Sequence, residues 1–134
     1  MKKALGTVAL AAVGTLAAAS LAIAAARPLA TADIPNPFTF AGKSLPAGKY
    51  TVMVESLGGL VILQNDATGK REAAEYVTRL AMTDLAQPEL VFDKLGDTLY
   101  LSEIRLTDED GYQVPGATMK EHTHVRVKAE KKKA

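Results

Sequence analysis

The sequence predicts an all-β domain, a small antiparallel β-barrel or sandwich of about seven or eight strands behind an N-terminal signal helix. Two observations predict it. Tyr50, Val52 and Val54 alternate with Thr51, Met53 and Glu55, the period of two of a half-buried strand rich in β-branched and aromatic residues. Turn signatures then punctuate the chain at short intervals, among them Leu45-Pro46-Ala47-Gly48, Gly58-Gly59 and Gly96-Asp97.

The N-terminus is read first, because it is not part of the domain. Lys2 and Lys3 give a basic start, and no charge follows until Arg27. Ala4–Ala26 is apolar or small throughout, the layout of a secretory signal peptide, with small-x-small cleavage candidates at Ala24-Ala25-Ala26 and Ala30-Thr31-Ala32. An uncleaved membrane anchor is the competing reading, since the run is long enough to span a bilayer. Eleven of its 23 residues are alanine, which lipid favours less than leucine, and no basic stop-transfer cluster follows, so cleavage is preferred. The expected organisation is a signal peptide over 1–26 (cleavage as late as 32 also fits), a flexible lead-in over 27–36, a β domain over 37–129 and a basic tail over 130–134.

Taken in order, Phe38 and Phe40 are two apart and place both rings on one face of a short strand. Pro46 and Gly48 occupy the positions a type I turn prefers, and Lys49–Leu57 follows as a strand. Gly58-Gly59 reads as a two-residue hairpin turn. Leu60–Leu63 is apolar on both faces, so this strand is covered on both sides or meets a partner with its outer face. Lys70–Thr83 fits a helical stripe and a strand face alike, and its surroundings favour strand. Glu89–Leu95 and Thr98–Leu106 form a second hairpin around Gly96-Asp97. Leu99 and Leu101 share a face, but Ile104 and Leu106 align with Tyr100, which predicts a bulge near Ser102 or a strand passing between two sheet environments. Asp108–Gly111 and Val114-Pro115-Gly116 read as turns, and Val125 and Val127 mark a last strand within Glu121–Lys128. The expected core is Phe38, Phe40, Tyr50, Val52, Val54, Leu60, Ile62, Val91, Phe92, Leu99 and Leu101.

Three segments also carry a resemblance. Ile34–Phe40, Gly42–Val52 with its LPAGKYTV run, and Val91–Leu101 look like the IPF-x-F, G-x-x-LPAG-x-Y-x-V and VF-x-x-x-G-x-x-Y-x-L segments of a family of small exported bacterial proteins of unknown function, seen mostly in acidobacteria. The chain departs from that pattern at the extra Asn36-Pro37 and in its histidine-bearing basic end. The resemblance implies export and a compact β fold, and it carries no activity.

Composition narrows the function classes. The chain has no cysteine, which excludes disulfides, thiolate metal ligands and a cysteine nucleophile and leaves stability to the core. Without Lys2 and Lys3 the 16 basic residues become 14 against 15 acidic ones, a net charge of −1, so no nucleic-acid footprint is present. No catalytic set and no cofactor site is assigned. Ser44, Ser56 and Ser102 lack a nucleophile-elbow context, and Glu103 with Arg105 reads as a rim ion pair. Asp108, Asp110 and Gly111 resemble the start of a calcium loop, but the glycine comes too early and Tyr112 falls where an acid belongs, so an acidic turn is the better reading.

His122 and His124 are the candidate metal ligands. Spaced by two on a strand, both imidazoles face one way, as a two-histidine site needs. Such a site requires a third ligand, and Glu121 lies on the opposite face. The sequence therefore reads as an exported, non-enzymatic binding or structural module, periplasmic or extracellular, with no membrane span once matured. A small hydrophobic-ligand carrier barrel and a metal-binding protein built on His122 and His124 are the alternatives. Self-association through Leu60–Leu63, or pairing with another envelope protein, is the partner expectation.

Overall fold

A computed structural model describes residues 26–55, 57, 59–82, 84–117 and 122–132. In chain order the strands are β1 (Arg27–Ile34), β2 (Phe38–Phe40), β3 (Lys43–Leu45), β4 (Gly48–Glu55), β5 (Leu60–Asn65) and β6 (Arg71–Glu75). They continue as β7 (Thr78–Leu80), β8 (Glu89–Leu95), β9 (Thr98–Arg105), β10 (Gly111–Gln113), β11 (Thr123–Lys128) and β12 (Glu130–Lys131). The predicted all-β class holds, with 12 strands in place of seven or eight.

One sheet has the order β12-β1-β4-β5-β6, and the other runs β11-β8-β9-β10-β7. The β2–β3 hairpin joins the second sheet through a parallel bridge between Thr39 and Tyr100, beside β10 on the same flank of β9. All other pairings are antiparallel. The sheets face one another as a sandwich and do not close into a barrel. The chain changes sheets between β1 and β2, between β3 and β4, at Ala129 between β11 and β12, and at Tyr76-Val77, where the Tyr76 amide donates to Gly59 and the Val77 amide to Gln113.

Aromatic residues fill the space between the sheets. Phe38 meets Tyr50 and Phe92 edge-on, at centroid distances of 5.2 and 5.5 Å, the arrangement that aligns a positive ring edge with a negative ring face. The Tyr50 hydroxyl donates to the Pro46 carbonyl at 2.7 Å, so the ring that anchors β4 also holds the predicted Pro46–Gly48 turn. This aromatic packing leaves the inter-sheet space as core.

Several expectations are corrected. Arg27–Ile34, read as a flexible lead-in, is a core strand: β1 pairs with β4, and Leu29, Ala30, Ala32 and Ile34 are buried. Its small alanines hid it, because alanine carries little strand signal. The tail is likewise not free, since Glu130 and Lys131 pair with Thr31 and Ala30. In β5 the core face is Val61 and Leu63, not Leu60 and Ile62. Val52 stands opposite Leu63 and Val54 opposite Val61, while Ile62 is buried on the reverse face opposite Met53. Val91 is also buried on the reverse face of its sheet, behind Leu90 and Phe92. A strand apolar on both faces does not declare its parity. β5 is flanked by β4 and β6, so Leu60–Leu63 offers no open backbone edge to a second copy.

β4 ends at Glu55 and β5 begins at Leu60, so the expected strand to Leu57 is shorter, and Gly58 of the expected two-glycine turn lies outside the described residues. Lys70–Thr83 is strand, as its surroundings suggested, but broken into β6 and β7. The expected bulge is at Ser102. Val91 pairs with Glu103 and Phe92 with Leu101, leaving Ser102 as the extra residue and shifting the inward set from Leu99 and Leu101 to Ile104 and Leu106.

Candidate metal centre

The centre is built on the outer face of the second sheet. Strand alternation sends Leu90 and Phe92 inward and Asp93 outward. Antiparallel pairing of β8 with β11 then sets His124 directly opposite Asp93. His122, two residues before His124, belongs to the same outer face, and the two rings stand edge to face at 5.0 Å.

Asp93 is the residue that sequence reasoning missed. Its side chain is 6% exposed, against 21% for His122 and 50% for His124. Oδ1 lies 3.4 Å from His122 Nε2 and 3.3 Å from His124 Nδ1. One donor atom from each of the three residues falls within 4.8 Å of the other two. The only sequence signal for Asp93 was an acid directly after the apolar run Leu90–Phe92, at a position whose cross-strand partner no sequence pattern supplies.

Both separations exceed a good histidine–carboxylate hydrogen bond and fall within the span of ligands to a single ion. Direct histidine–carboxylate hydrogen bonds run at about 2.7–3.2 Å, and Oδ1 is buried without a hydrogen-bond partner among the described residues. Zinc–nitrogen and zinc–oxygen bonds of about 2.0–2.2 Å, at a tetrahedral angle, separate neighbouring ligand atoms by roughly 3.3–3.5 Å. The two carboxylate–imidazole separations match the second spacing. Two imidazoles and a carboxylate form a borderline donor set that suits zinc, copper(II) or nickel.

The other oxygen of Asp93 is engaged by backbone. Oδ2 accepts the Ala117 amide at 3.0 Å, and the preceding Val114 amide donates to the carbonyl of bulged Ser102 at 2.9 Å. Val114–Ala117 is therefore not a turn, as expected, but an irregular strap that leaves β10 and passes over Ser102 and Asp93. The strap lies close: a methyl group on Gly116 would overlap Asp93 Oδ2 and stand 3.0–3.1 Å from the Ser102 side chain.

Neighbouring charges on this face are already paired. Glu89 accepts from Arg126 at 3.1 Å, and Glu103 pairs with Arg105 at 2.5 Å, half-buried rather than on an exposed rim. The acidic turn distributes its carboxylates: Asp108 to Lys131, Glu109 to Arg27 and Asp110 to the Met82 amide. They point to three partners rather than converging as calcium ligands. Ser44 is exposed, while Ser56 and Glu121 lie outside the described residues.

No protein-family model, no curated protein and no solved structure matches this chain.

Proposed function

We propose that this chain is an exported, non-enzymatic β-sandwich module of the bacterial envelope that binds a divalent transition metal ion through Asp93, His122 and His124. Zinc fits best, because the two carboxylate–imidazole separations of 3.3 and 3.4 Å match tetrahedral ligand spacing. The observation that carries the reading is the buried Asp93 Oδ1, faced by two imidazole nitrogens and satisfied by neither. An unmet buried carboxylate oxygen is costly, and a shared cation removes that cost. Binding is favoured over hydrolysis because Glu89 and Glu103, the other acids of this face, each lie in ion-pair contact with an arginine, although Glu103 Oε1 makes no hydrogen bond.

Export rests on the signal-peptide layout and on the resemblance to small exported proteins. β1 starts at Arg27, so cleavage at Ala24–Ala26 keeps the strand whole, whereas cleavage after Ala32 removes most of it. Among the described residues no helix is long and apolar enough to cross a membrane.

Native mass spectrometry with metal analysis, on protein from its host's envelope and secreted fractions, tests both parts. The expected species begins near Arg27 and takes up one zinc ion per chain. A His122→Ala/His124→Ala variant with unchanged circular dichroism should lose the ion. A folded wild-type chain that takes up neither zinc, copper nor nickel overturns the metal reading. A full-length mass confined to membranes overturns cleavage in favour of an anchor.

A further inference from the structure

We propose that the Val114–Ala117 strap positions the metal ligand Asp93, so that docking of the strap and binding of the ion are one coupled event. This rests on the metal reading above and assigns Gly116 and Ala117 a role in it.

One carboxylate links the strap to the ion. Oδ1 faces the two imidazoles, and Oδ2 accepts the Ala117 amide. A ligating carboxylate is held in orientation by the partner of its second oxygen, and loss of such partners costs about 10–100-fold in metal affinity. Here the partner is a backbone amide, so the strap itself must be seated for the carboxylate to be aimed. Its seat is specific. Val114 is buried in the core, its amide bonded to the bulge carbonyl of Ser102. Gly116 then clears Asp93 and Ser102 only because it has no side chain. The bulge, the glycine and the amide together fix which way Asp93 Oδ1 points.

Coupling is reciprocal. If strap docking strengthens zinc binding by some factor, zinc must stabilise the docked strap by the same factor, and the Ala117 amide reports it. A strap with a merely architectural role would hold its Ala117 hydrogen bond equally with and without metal.

The test uses the purified wild-type protein, zinc chloride and Gly116→Ala. Amide exchange by NMR should slow at Ala117 by about 10–100-fold at saturating zinc, and this slowing should vanish in the His122→Ala/His124→Ala variant. Calorimetric zinc affinity of Gly116→Ala should fall by a similar factor, since the added methyl displaces the carboxylate. Should Gly116→Ala not fold, wild-type exchange decides alone. Zinc binding by the wild type with unchanged Ala117 exchange overturns the coupling and leaves the metal site standing, as does unaltered affinity in folded Gly116→Ala. No zinc binding by the wild type overturns both.

Discussion

Tyr112 shows how one residue's surroundings fix a pH response. The side chain is buried beneath the sandwich's edge, its ring 5.0 Å from Tyr76 and covered by the Arg79 guanidinium at 4.7 Å. Burial pushes its phenol above the ordinary value, against the opposing pull of Arg79. In the unfolded chain a tyrosine ionises near pH 10, so above that point the unfolded state gains free energy by releasing a proton that native Tyr112 still holds. The contribution is fully present below about pH 10 and is lost as pH climbs through the higher native value. Urea unfolding across that window should show wild-type stability falling more steeply than that of Tyr112→Phe. Parallel pH profiles for the two would contradict the assignment. At this scale the sequence was informative where type and position agreed, as for Phe38, Phe40, Tyr50 and Phe92, all of which are buried in the core. It was silent for Asp93, whose proposed role rests on His124 standing opposite it across a strand pair.

Elements reveal why some of the fold was legible and some was not. The Ser102 bulge was readable because it leaves a trace along one strand, a switch of apolar face between Leu101 and Ile104. β1 was not, because Ala30 and Ala32 owe their burial to pairing with β4 rather than to any pattern of their own. The strap was misread as a turn because Pro115-Gly116 is the composition of both. Gly116 serves close approach, and so does Gly111 at the start of β10. A side chain at Gly111 would overlap the Ile104 carbonyl oxygen and press on Arg105 Cα at 3.3 Å. Those are backbone atoms of β9, which cannot rotate away, so Gly111→Ala should destabilise by about 2 kcal/mol or more, in the range of overpacked sites. The urea midpoint measures it. A loss under about 0.5 kcal/mol, the scale of ordinary surface substitutions, would mean that β10 does not sit against β9 as described.

Over the whole molecule, the proposed ion and the fold share one equilibrium. Asp93 and the histidines come from β8 and from the β11 region, so binding favours the native state and not the unfolded chain. Free zinc at a hundredfold excess over its dissociation constant adds about 2.7 kcal/mol of stability, which raises the melting temperature by roughly 10 °C for a domain of this size. A chelator should reverse the shift, and acid should weaken it as protons compete for the imidazole nitrogens. A melting curve indifferent to zinc and chelator alike would contradict the site.

The switch of the C-terminal chain between sheets at Ala129 bears on the order in which the molecule is made. β1 is synthesised first, yet one of its edges stays bare until β12, at Glu130–Lys131, arrives to pair with it. The second sheet likewise waits for β11. Neither sheet is therefore complete until residues 123–131 are available to pair. Asp93 is exposed to ions well before His122 and His124 have been joined to the chain. On the proposed metal reading, a chain cut short before residue 122 would lack two of its three ligands and would remain unloaded.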